Sequence, residues 1–366
     1  MDSPNSFEPD WLSPPGETIR DLIDERRLTL AEFARQIGCS SKDATELLRG
    51  RASVTPEIAQ KLATVLGSSP RFWLARESQY RADMVRLRDT PDSPEAQSWL
   101  DELPTRDMVE FGWVPPPSGS SRRTPHFLKF FDVAGVNEWR MKYRQIFTLA
   151  ALRTSPSFVS RPGAVSAWLR QGEIRGVSID CEPWNAQRLR GAIPDLRRLT
   201  RMKDPRKFLP ELTQRCAACG VAVAIVRAPA GCRASGATRF ISPDRALLLL
   251  SFRYLSDDQF WFTFFHELGH LLLHGETELF LEDLDASSDR YEKEANSFAE
   301  SQIIPTEFRK ELDEIRIDMR TLVRFAHKVG VSAGLVVGQL QHNGRIPQRY
   351  FNGLKVRYDW STIDNG

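Results

Sequence analysis

The sequence predicts a mainly α-helical protein with one small β-sheet, which is an α+β architecture. Segments with helical apolar spacing fill residues 16–78 and recur from residue 126 onward. Short apolar or β-branched runs, bounded by Gly, Pro and Asp, cluster between residues 220 and 254 and indicate strands. Because 366 residues can bury more than one core, we expect several domains.

The first domain is expected over residues 16–78, as a bundle of short helices. Thr29 is a predicted N-cap with Glu32 three residues later, which is the pattern of a capping box. Ser40 and Thr55 are the predicted caps of the next two helices. The tight turn between the second and third helices indicates a helix-turn-helix, a unit whose second helix enters the major groove of DNA.

The rest of the chain is divided by composition. Residues 79–125 include the stretch "WVPPPSGSSRRTP" and are predicted to be a linker. A helical intermediate region is expected over 126–214, a domain with three strands and further helices over 215–345, and a C-terminal tail over 346–366. The predicted strands are "GVAVAIV", "GATRFIS" and "ALLLLSFRY".

Composition narrows the class of protein. Hydrophobic residues make up 41% and charged residues 27% of the chain, as in ordinary globular proteins. No apolar run reaches the roughly 20 residues that a membrane span needs, and the first residues lack the pattern of a secretory signal. The five cysteines are scattered and odd in number, as expected in a reducing compartment. We therefore expect a cytoplasmic protein with no membrane partner.

The stretch "FTFFHELGHLLLHG" places imidazoles inside the strongest apolar pattern of the chain. His266 and His270 are four residues apart, so a helix presents both on one face with Glu267 beside them. Neutral imidazoles are usual zinc ligands, and a catalytic zinc site has three protein ligands. Glu292 in the downstream helix "YEKEANSFAE" is the predicted third ligand, and Asn296 one turn later is positioned to orient a ligand.

Two neighbours of these residues receive different predictions. His274 extends the histidine row by one turn and is expected to be a packing or second-shell residue. Glu294, two residues after Glu292, is expected to point elsewhere. The alternative for the whole motif is a pair of hydrogen-bonded core histidines beside a surface glutamate.

These motifs resemble the ImmA/IrrE family of zinc metallopeptidases over roughly residues 215–345. That family pairs HExxH with a helix of the form E-x-x-x-N-x-F-A, followed by a proline. The resemblance implies a zincin-like fold in which His266, His270 and Glu292 bind zinc and Glu267 is the general base. It also implies a protein substrate, and "GATRFIS" or "ALLLLSFR" is the candidate strand for pairing with it.

The region "TLAEFARQIGCSSKDATELLRGRASVTPEIAQKLATVLGSSPRFWL" resembles HigA-type antitoxins of the repressor-like, XRE-type fold. The resemblance implies binding to double-stranded operator DNA, with Ser41, Lys42 and Thr45 facing bases and Arg49 and Arg51 near phosphates. A homodimer is compatible with this resemblance. The alternative is a helical bundle that docks a partner without DNA, since Asp43 and Glu46 put negative charge on the recognition helix.

Two further patterns have a structural and a functional interpretation. The run of arginines and lysines from 188 to 207 predicts a solvated face or, alternatively, a phosphate-binding patch. The motif "CAAC" at 216–219 predicts small packing residues or, alternatively, a redox or metal pair.

Together the motifs predict a DNA-binding transcriptional regulator whose zinc-dependent peptidase domain cleaves a repressor, an antitoxin-like partner or itself. Such a protein would act in a stress or phage response. The rival hypothesis is a non-catalytic DNA-binding antitoxin or sensor whose peptidase fold only binds a partner or ligand.

Overall fold

The computed structural model describes residues 14–88, 94–116, 123–144, 146, 160–274, 280–281 and 289–363. The chain divides into two compact units, Met1–Arg144 and Gln145–Gly366. The mainly α-helical α+β class predicted from the sequence is confirmed.

The first unit begins with the predicted bundle. Its helices are α1 (Pro15–Glu25), α2 (Leu30–Ile37), α3 (Ser41–Leu48), α4 (Pro56–Leu66) and α5 (Pro70–Arg88). Both Thr29 and Ser40 form capping boxes, and the Thr55 side chain accepts from the backbone N–H of Ile58. Gly38 ends α2 in the left-handed region at φ 67°, which lets the chain turn sharply into α3. The predicted caps of α2, α3 and α4 are therefore confirmed.

The linker predicted over 79–125 is wrong for the described part of that segment. It contains the second half of α5 and two further helices, while residues 89–93 and 117–122 lie outside the described residues. The buried indole of Trp99 packs at 6.0 Å from the ring of Phe131 and at 5.8 Å from that of Trp139. A small aromatic core thus orders a region whose Pro and Ser content indicated an extended chain. The helices are α6 (Pro94–Glu102), α7 (Thr105–Glu110), α8 (Thr124–Phe131) and α9 (Val136–Lys142).

The second unit contains the predicted sheet, in the order β1-β3-β2-β4. Strands β1 and β3 are parallel, whereas β2 is antiparallel to both β3 and β4. The three predicted strands are confirmed, and β4 adds a two-residue strand that the sequence did not indicate. The strands are β1 (Val221–Ile225), β2 (Gly236–Ser242), β3 (Arg245–Leu250) and β4 (Phe280–Leu281).

Helices cover both faces of this sheet, which explains why β3 is an unbroken apolar run. On one face Gly172 and Gly176 of α10 lie against the side chains of Leu249 and Leu247. The other face, with Leu248, belongs to the main core together with the aromatic residues of α13. The helices on either side of the strands are α10 (Pro162–Ser178), α11 (Ala186–Leu199), α12 (Pro205–Ala217) and α13 (Asp257–Leu273).

The described part of the predicted intermediate region does not form a unit of its own, because residues 126–144 belong to the first unit and the helices from residue 186 pack in the core of the second. Leu189 and Leu196 of α11 and Phe208 and Leu212 of α12 lie in the same core as the sheet and α13. The helices after α13 complete that core. They are α14 (Asp289–Ile303), α15 (Thr306–Asp313), α16 (Met319–Val329) and α17 (Ala333–His342).

The segment expected to be a C-terminal tail is also part of the core. Tyr358 and Ile363 are buried, the latter in the short helix α18 (Trp360–Ile363). The backbone N–H of Asp257 donates to the carbonyl of Val356 at 3.0 Å. The prediction of a tail is therefore wrong. These apolar residues lack the regular spacing that marks a helix or strand, so their pattern did not indicate burial.

An ion pair anchors this segment, and its loss is expected to destabilise the second unit. Lys355 Nζ lies 2.6 Å from Asp258 Oδ2, and the two side chains are 9% and 3% exposed. Lys355→Ala leaves a buried carboxylate without its cation, which costs about 3–5 kcal/mol. Lys328→Ala is the matched control, because its pair with Glu311 has the same 2.6 Å distance at 55% and 45% exposure. Urea unfolding of both variants measures the difference, and equal midpoints would contradict a structural role for the buried pair.

Candidate metal centre and DNA-binding helices

The three residues of the HExxH motif lie on α13, which begins after the N-cap Ser256. His266, Glu267 and His270 are 2%, 0% and 1% exposed, so their neighbours shield them from bulk solvent. Burial also lowers the pKa of His270, which favours the neutral imidazole that a metal requires. No described helix is both long enough and apolar enough to span a membrane.

Helix α14 brings Glu292 to the histidines by packing closely against α13. A Cβ built on Gly269 would lie 3.1 Å from the Cα of Ala295 and 3.1 Å from the ring of Phe298. Because Gly269 has no side chain, the two helix backbones can approach at this point. The glycine inside "HELGH" therefore helps to place the acidic ligand that arrives from the other helix.

The two histidines and Glu292 form a compact donor set. The Nε2 atoms of His266 and His270 are 3.0 Å apart. Each of these atoms lies 3.3 Å from one carboxylate oxygen of Glu292. The candidate ligand atoms of the three residues all lie within 4.8 Å of one another, and among the described residues this is the one such group of His, Cys, Asp or Glu side chains.

The hydrogen bonds made by the Nδ1 atoms of the histidines determine whether their Nε2 atoms, which face Glu292, are free to bind a metal. His266 Nδ1 lies 2.9 Å from the amide oxygen of Asn296, which only accepts, so this nitrogen donates. His274 Nε2 donates to Glu294 at 3.1 Å, which leaves the Nδ1 of a neutral His274 to accept from His270 Nδ1 at 3.0 Å. Both Nε2 atoms then carry lone pairs that face each other and a carboxylate. This donor set fits a divalent cation such as zinc.

Glu294 does not point away from the centre, contrary to the prediction. It accepts from His274 and is itself held by Arg290, whose Nε donates to it at 2.8 Å. A chain of hydrogen bonds therefore runs from Glu294 through His274 to His270. The spacing of four residues between Arg290 and Glu294, and between His270 and His274, indicated that each pair lies on one helix face. The hydrogen bond from His274 to Glu294 joins two different helices, so no sequence spacing predicts it.

Gly236 is a site residue that the sequence analysis missed. A Cβ built on Gly236 would lie 2.4 Å from Glu267 Oε1 and 2.7 Å from Thr263 Cγ2. The start of β2 therefore lies directly against the carboxylate of the predicted general base. A glycine inside a strand often marks such a close approach, and this signal could have identified it.

One of the two candidate strands for substrate pairing is excluded. The prediction of "ALLLLSFR" is wrong, because β3 lies between β1 and β2 and both of its edges are paired. Strand β2 stays a candidate, although Ala237 and Thr238 already pair with β4.

The predicted DNA-contacting residues lie on α3 and directly after it. Ser41 and Lys42 are exposed in its first turn, and the Thr45 hydroxyl donates to the carbonyl of Ser41 at 2.7 Å. Arg49 is the C-cap of α3, and Arg51 follows in the turn before α4. The structure thus places the expected base-contacting residues together in the first turns of one helix.

The acidic residues of α3 are engaged within the domain. Asp43 accepts from the hydroxyl and backbone N–H of Ser40 in the capping box. Glu46 lies 3.9 Å from Arg49 and 3.6 Å from Arg51. Their charge is therefore partly compensated before any phosphate approaches, which weakens the objection to DNA binding.

Two other patterns are accounted for by packing. Cys216 and Cys219 are buried free thiols, and burial raises the pKa of both, which disfavours the thiolate needed for metal or redox chemistry. In the basic run, Arg190 donates to the carbonyl of Leu272 and Arg197 to that of Gln302. These contacts favour the structural interpretation of both features.

Comparison with protein families defines the class of both parts. The helix-turn-helix family model matches residues 19–73. The model of the IrrE N-terminal-like domain, of peptidase family M78, matches residues 221–340. The protein therefore combines an N-terminal XRE-type helix-turn-helix domain with a C-terminal IrrE/ImmA-like peptidase-family domain, as the sequence motifs predicted.

Two similar proteins each match about a fifth of this chain. YddM, an uncharacterized HTH-type transcriptional regulator of Escherichia coli strain K12, is 41% identical over 81 residues, which are 20% of this chain and 86% of YddM. The chain belongs to the family of HTH-type transcriptional regulators. A solved structure from Nostoc punctiforme, assigned as an antidote protein of a plasmid maintenance system, is 33% identical and covers 20% of this chain and 79% of its own, with a TM-score of 0.19.

Proposed function

We propose that this regulator hydrolyses peptide bonds in a zinc-dependent reaction and so controls transcription by cleaving a repressor, an antitoxin-like partner or itself. The proposed setting is the cytoplasm under stress or phage challenge. The observation that supports the proposal is the convergence of His266, His270 and Glu292 beside a buried Glu267. A protein that only bound a partner would not require three candidate metal ligands beside a buried glutamate.

The residues of the centre divide into those that hold zinc and those that orient them. His266, His270 and Glu292 would hold zinc, which when bound polarises a peptide carbonyl and makes water a stronger acid. Asn296 and His274 fix the ring orientation of the two histidines through their Nδ1 atoms.

Glu267 is the proposed general base and acid. Its carboxylate is fully buried on the same helix as the histidines, where it can accept a proton from water and deliver it to the leaving amine nitrogen. The packing of Gly236 against this carboxylate limits the positions it can adopt. The start of β2 thus supports the position of the proposed base.

Gly236→Ala is therefore expected to lower peptide hydrolysis while zinc binding persists. The added methyl group would force Glu267 to move, and a misplacement of about 1 Å can cost on the order of 100-fold in rate. Gly191→Ala is the control, because a Cβ at that helical position meets no atom within 4 Å. Rates and zinc content of both variants test this, and full activity of Gly236→Ala would contradict the positioning role.

The helix-turn-helix domain is proposed to bind operator DNA through α3. Lys42→Ala should then reduce affinity for all duplexes and lower the dependence on salt, whereas Thr45→Ala should mainly relax sequence preference. Selection from a random duplex library, followed by titration at several salt concentrations, measures both effects. Lys328→Ala is a control for loss of positive charge outside this domain. Failure to enrich any motif at low salt would leave the domain as a docking module.

The cleavage function is tested by incubating the zinc-loaded protein with the products of neighbouring genes. Intact-mass spectrometry should show a discrete pair of fragments from one of these proteins or from the chain itself. Glu267→Gln protein, with its zinc retained, should give no fragments. If wild type and variant give identical masses for every protein while both relieve repression in cells, the non-catalytic sensor is the better description.

A further inference from the structure

A cleft of about 630 Å³ lies within the first unit, between the end of α3 and helices α8 and α9. This volume falls in the range of small-molecule sites, which are roughly 300–1,000 Å³. Tyr80, Leu128 and Val133 contribute apolar surface to its lining. Nothing in the proposed DNA-binding or peptidase functions uses this space.

The rim of the cleft is cationic. Arg49 and Arg51 contribute guanidinium groups from the end of α3, Lys129 contributes an ammonium group from α8, and His126 adds an imidazole ring beside it. His126 and Lys129 are three residues apart, so they lie on the same face of α8. The side chains of these two make no ion pair or hydrogen bond with any other described residue, and Lys129 is exposed.

The acidic residues of the lining do not offset these charges fully. Asp132 lies 3.4 Å from Arg51, so it forms an ion pair with a cation of the same cleft. Glu138 accepts from the backbone N–H of Ala134 at 2.6 Å, and burial raises its pKa to about 7. Its carboxyl group is therefore partly protonated at neutral pH, and Lys129 and His126 are left to face an incoming ligand.

We propose that this cleft binds a small organic anion, whose carboxylate or phosphate group is held by Lys129 and His126, with the ion-paired Arg51 beside it, and whose flat apolar body lies against Tyr80 and Val133. Arginine and lysine bind such groups through charge-assisted hydrogen bonds. An aromatic or aliphatic body suits the apolar part of the lining. The cleft thus has the two features expected of an effector site in a regulator.

The position of the cleft links the anion to DNA binding, a consequence that rests on the proposed operator function. Arg49 and Arg51 are the residues expected near DNA phosphates, and both also border the cleft. An anion that engages them competes with phosphate for the same guanidinium groups. By linkage, the anion should weaken DNA binding by the same factor by which DNA weakens binding of the anion.

The site is tested first without DNA, so that failure of the operator function does not affect the result. Phenyl phosphate is the probe, and benzyl alcohol is its uncharged analogue; binding to the full-length protein is followed by ligand-observed NMR titration. We expect saturable binding of phenyl phosphate that weakens about tenfold or more in Lys129→Glu, which reverses one charge at the rim. Lys61→Glu is the matched control, since Lys61 is also exposed on a helix of this unit but does not line the cleft.

Three results would overturn the proposal: no saturation by phenyl phosphate, equal binding to wild type and Lys129→Glu, or equal binding of benzyl alcohol. Val133→Trp is a second variant that fills the apolar part of the cleft and should also abolish binding, with circular dichroism as the check of folding. The selected duplex is then titrated with and without phenyl phosphate. A change in DNA affinity supports the coupling, whereas unchanged affinity removes the coupling and leaves the binding site.

Discussion

Replacing His270 by Ala is expected to weaken zinc binding by more than about 100-fold, beyond the range that loss of a supporting residue costs. The change removes one of three proposed ligands. The adjacent His274 is not placed to replace it, because His274 Nδ1 faces His270 Nδ1, on the side away from Glu292. Competition with a chelator of known zinc affinity, at fixed pH, measures the loss. His266→Ala should behave in the same way.

Glu294→Gln is expected to weaken zinc binding less than His270→Ala does. It removes the carboxylate that accepts from His274, so zinc affinity should fall by about 10–100-fold while all three proposed ligands remain. Glu311→Gln is the matched control, because Glu311 pairs only with the exposed Lys328 among the described residues. A His270→Ala variant that binds zinc as tightly as wild type would contradict the ligand assignment. Unchanged zinc affinity in Glu294→Gln would contradict a role for the chain of hydrogen bonds from Glu294 through His274 to His270.

Changing Glu267 to Gln is expected to reduce peptide hydrolysis by on the order of 100-fold or more, the usual contribution of a general base. Glutamine has nearly the same volume, so a fully buried position should keep its packing. Zinc content should stay close to that of wild type, because Glu267 is beside the proposed ligands and is not one of them. Parallel measurement of zinc and of fragment formation separates these effects.

The Glu311→Gln variant serves again as the control for loss of one negative charge. If Glu267→Gln loses zinc together with activity, Glu267 is a ligand or a structural residue. If it keeps both, another group acts as the base. Each of these outcomes would require a different description of the site.

The helix-turn-helix domain was readable from the sequence because its signals are local. Thr29, Ser40 and Thr55 each cap a helix with a side chain that bonds a backbone N–H three residues later. The relation of His266 to His270 is likewise set by one turn of helix. Glu292 was predicted as the third ligand from its place in the next acidic helix, and the family pattern agrees, although spacing alone does not state which helix packs against α13.

Contacts between segments that are distant in the sequence could not be predicted from it. Gly236 lies against Glu267 only because β2 lies beneath α13, and a lone glycine in a strand does not name its neighbour. The same holds for the pair of Glu294 with His274. Trp99 and Tyr358 were assigned to a linker and a tail because single aromatic residues with no periodic partners carry no signal of burial.

Zinc-edge anomalous diffraction from crystals of the zinc-loaded protein tests the metal centre most directly. The expected result is one strong peak per chain, within bonding distance of His266 Nε2, His270 Nε2 and a carboxylate oxygen of Glu292. Absence of a peak there, or a peak held by other residues such as Cys216 and Cys219, would contradict the proposed centre.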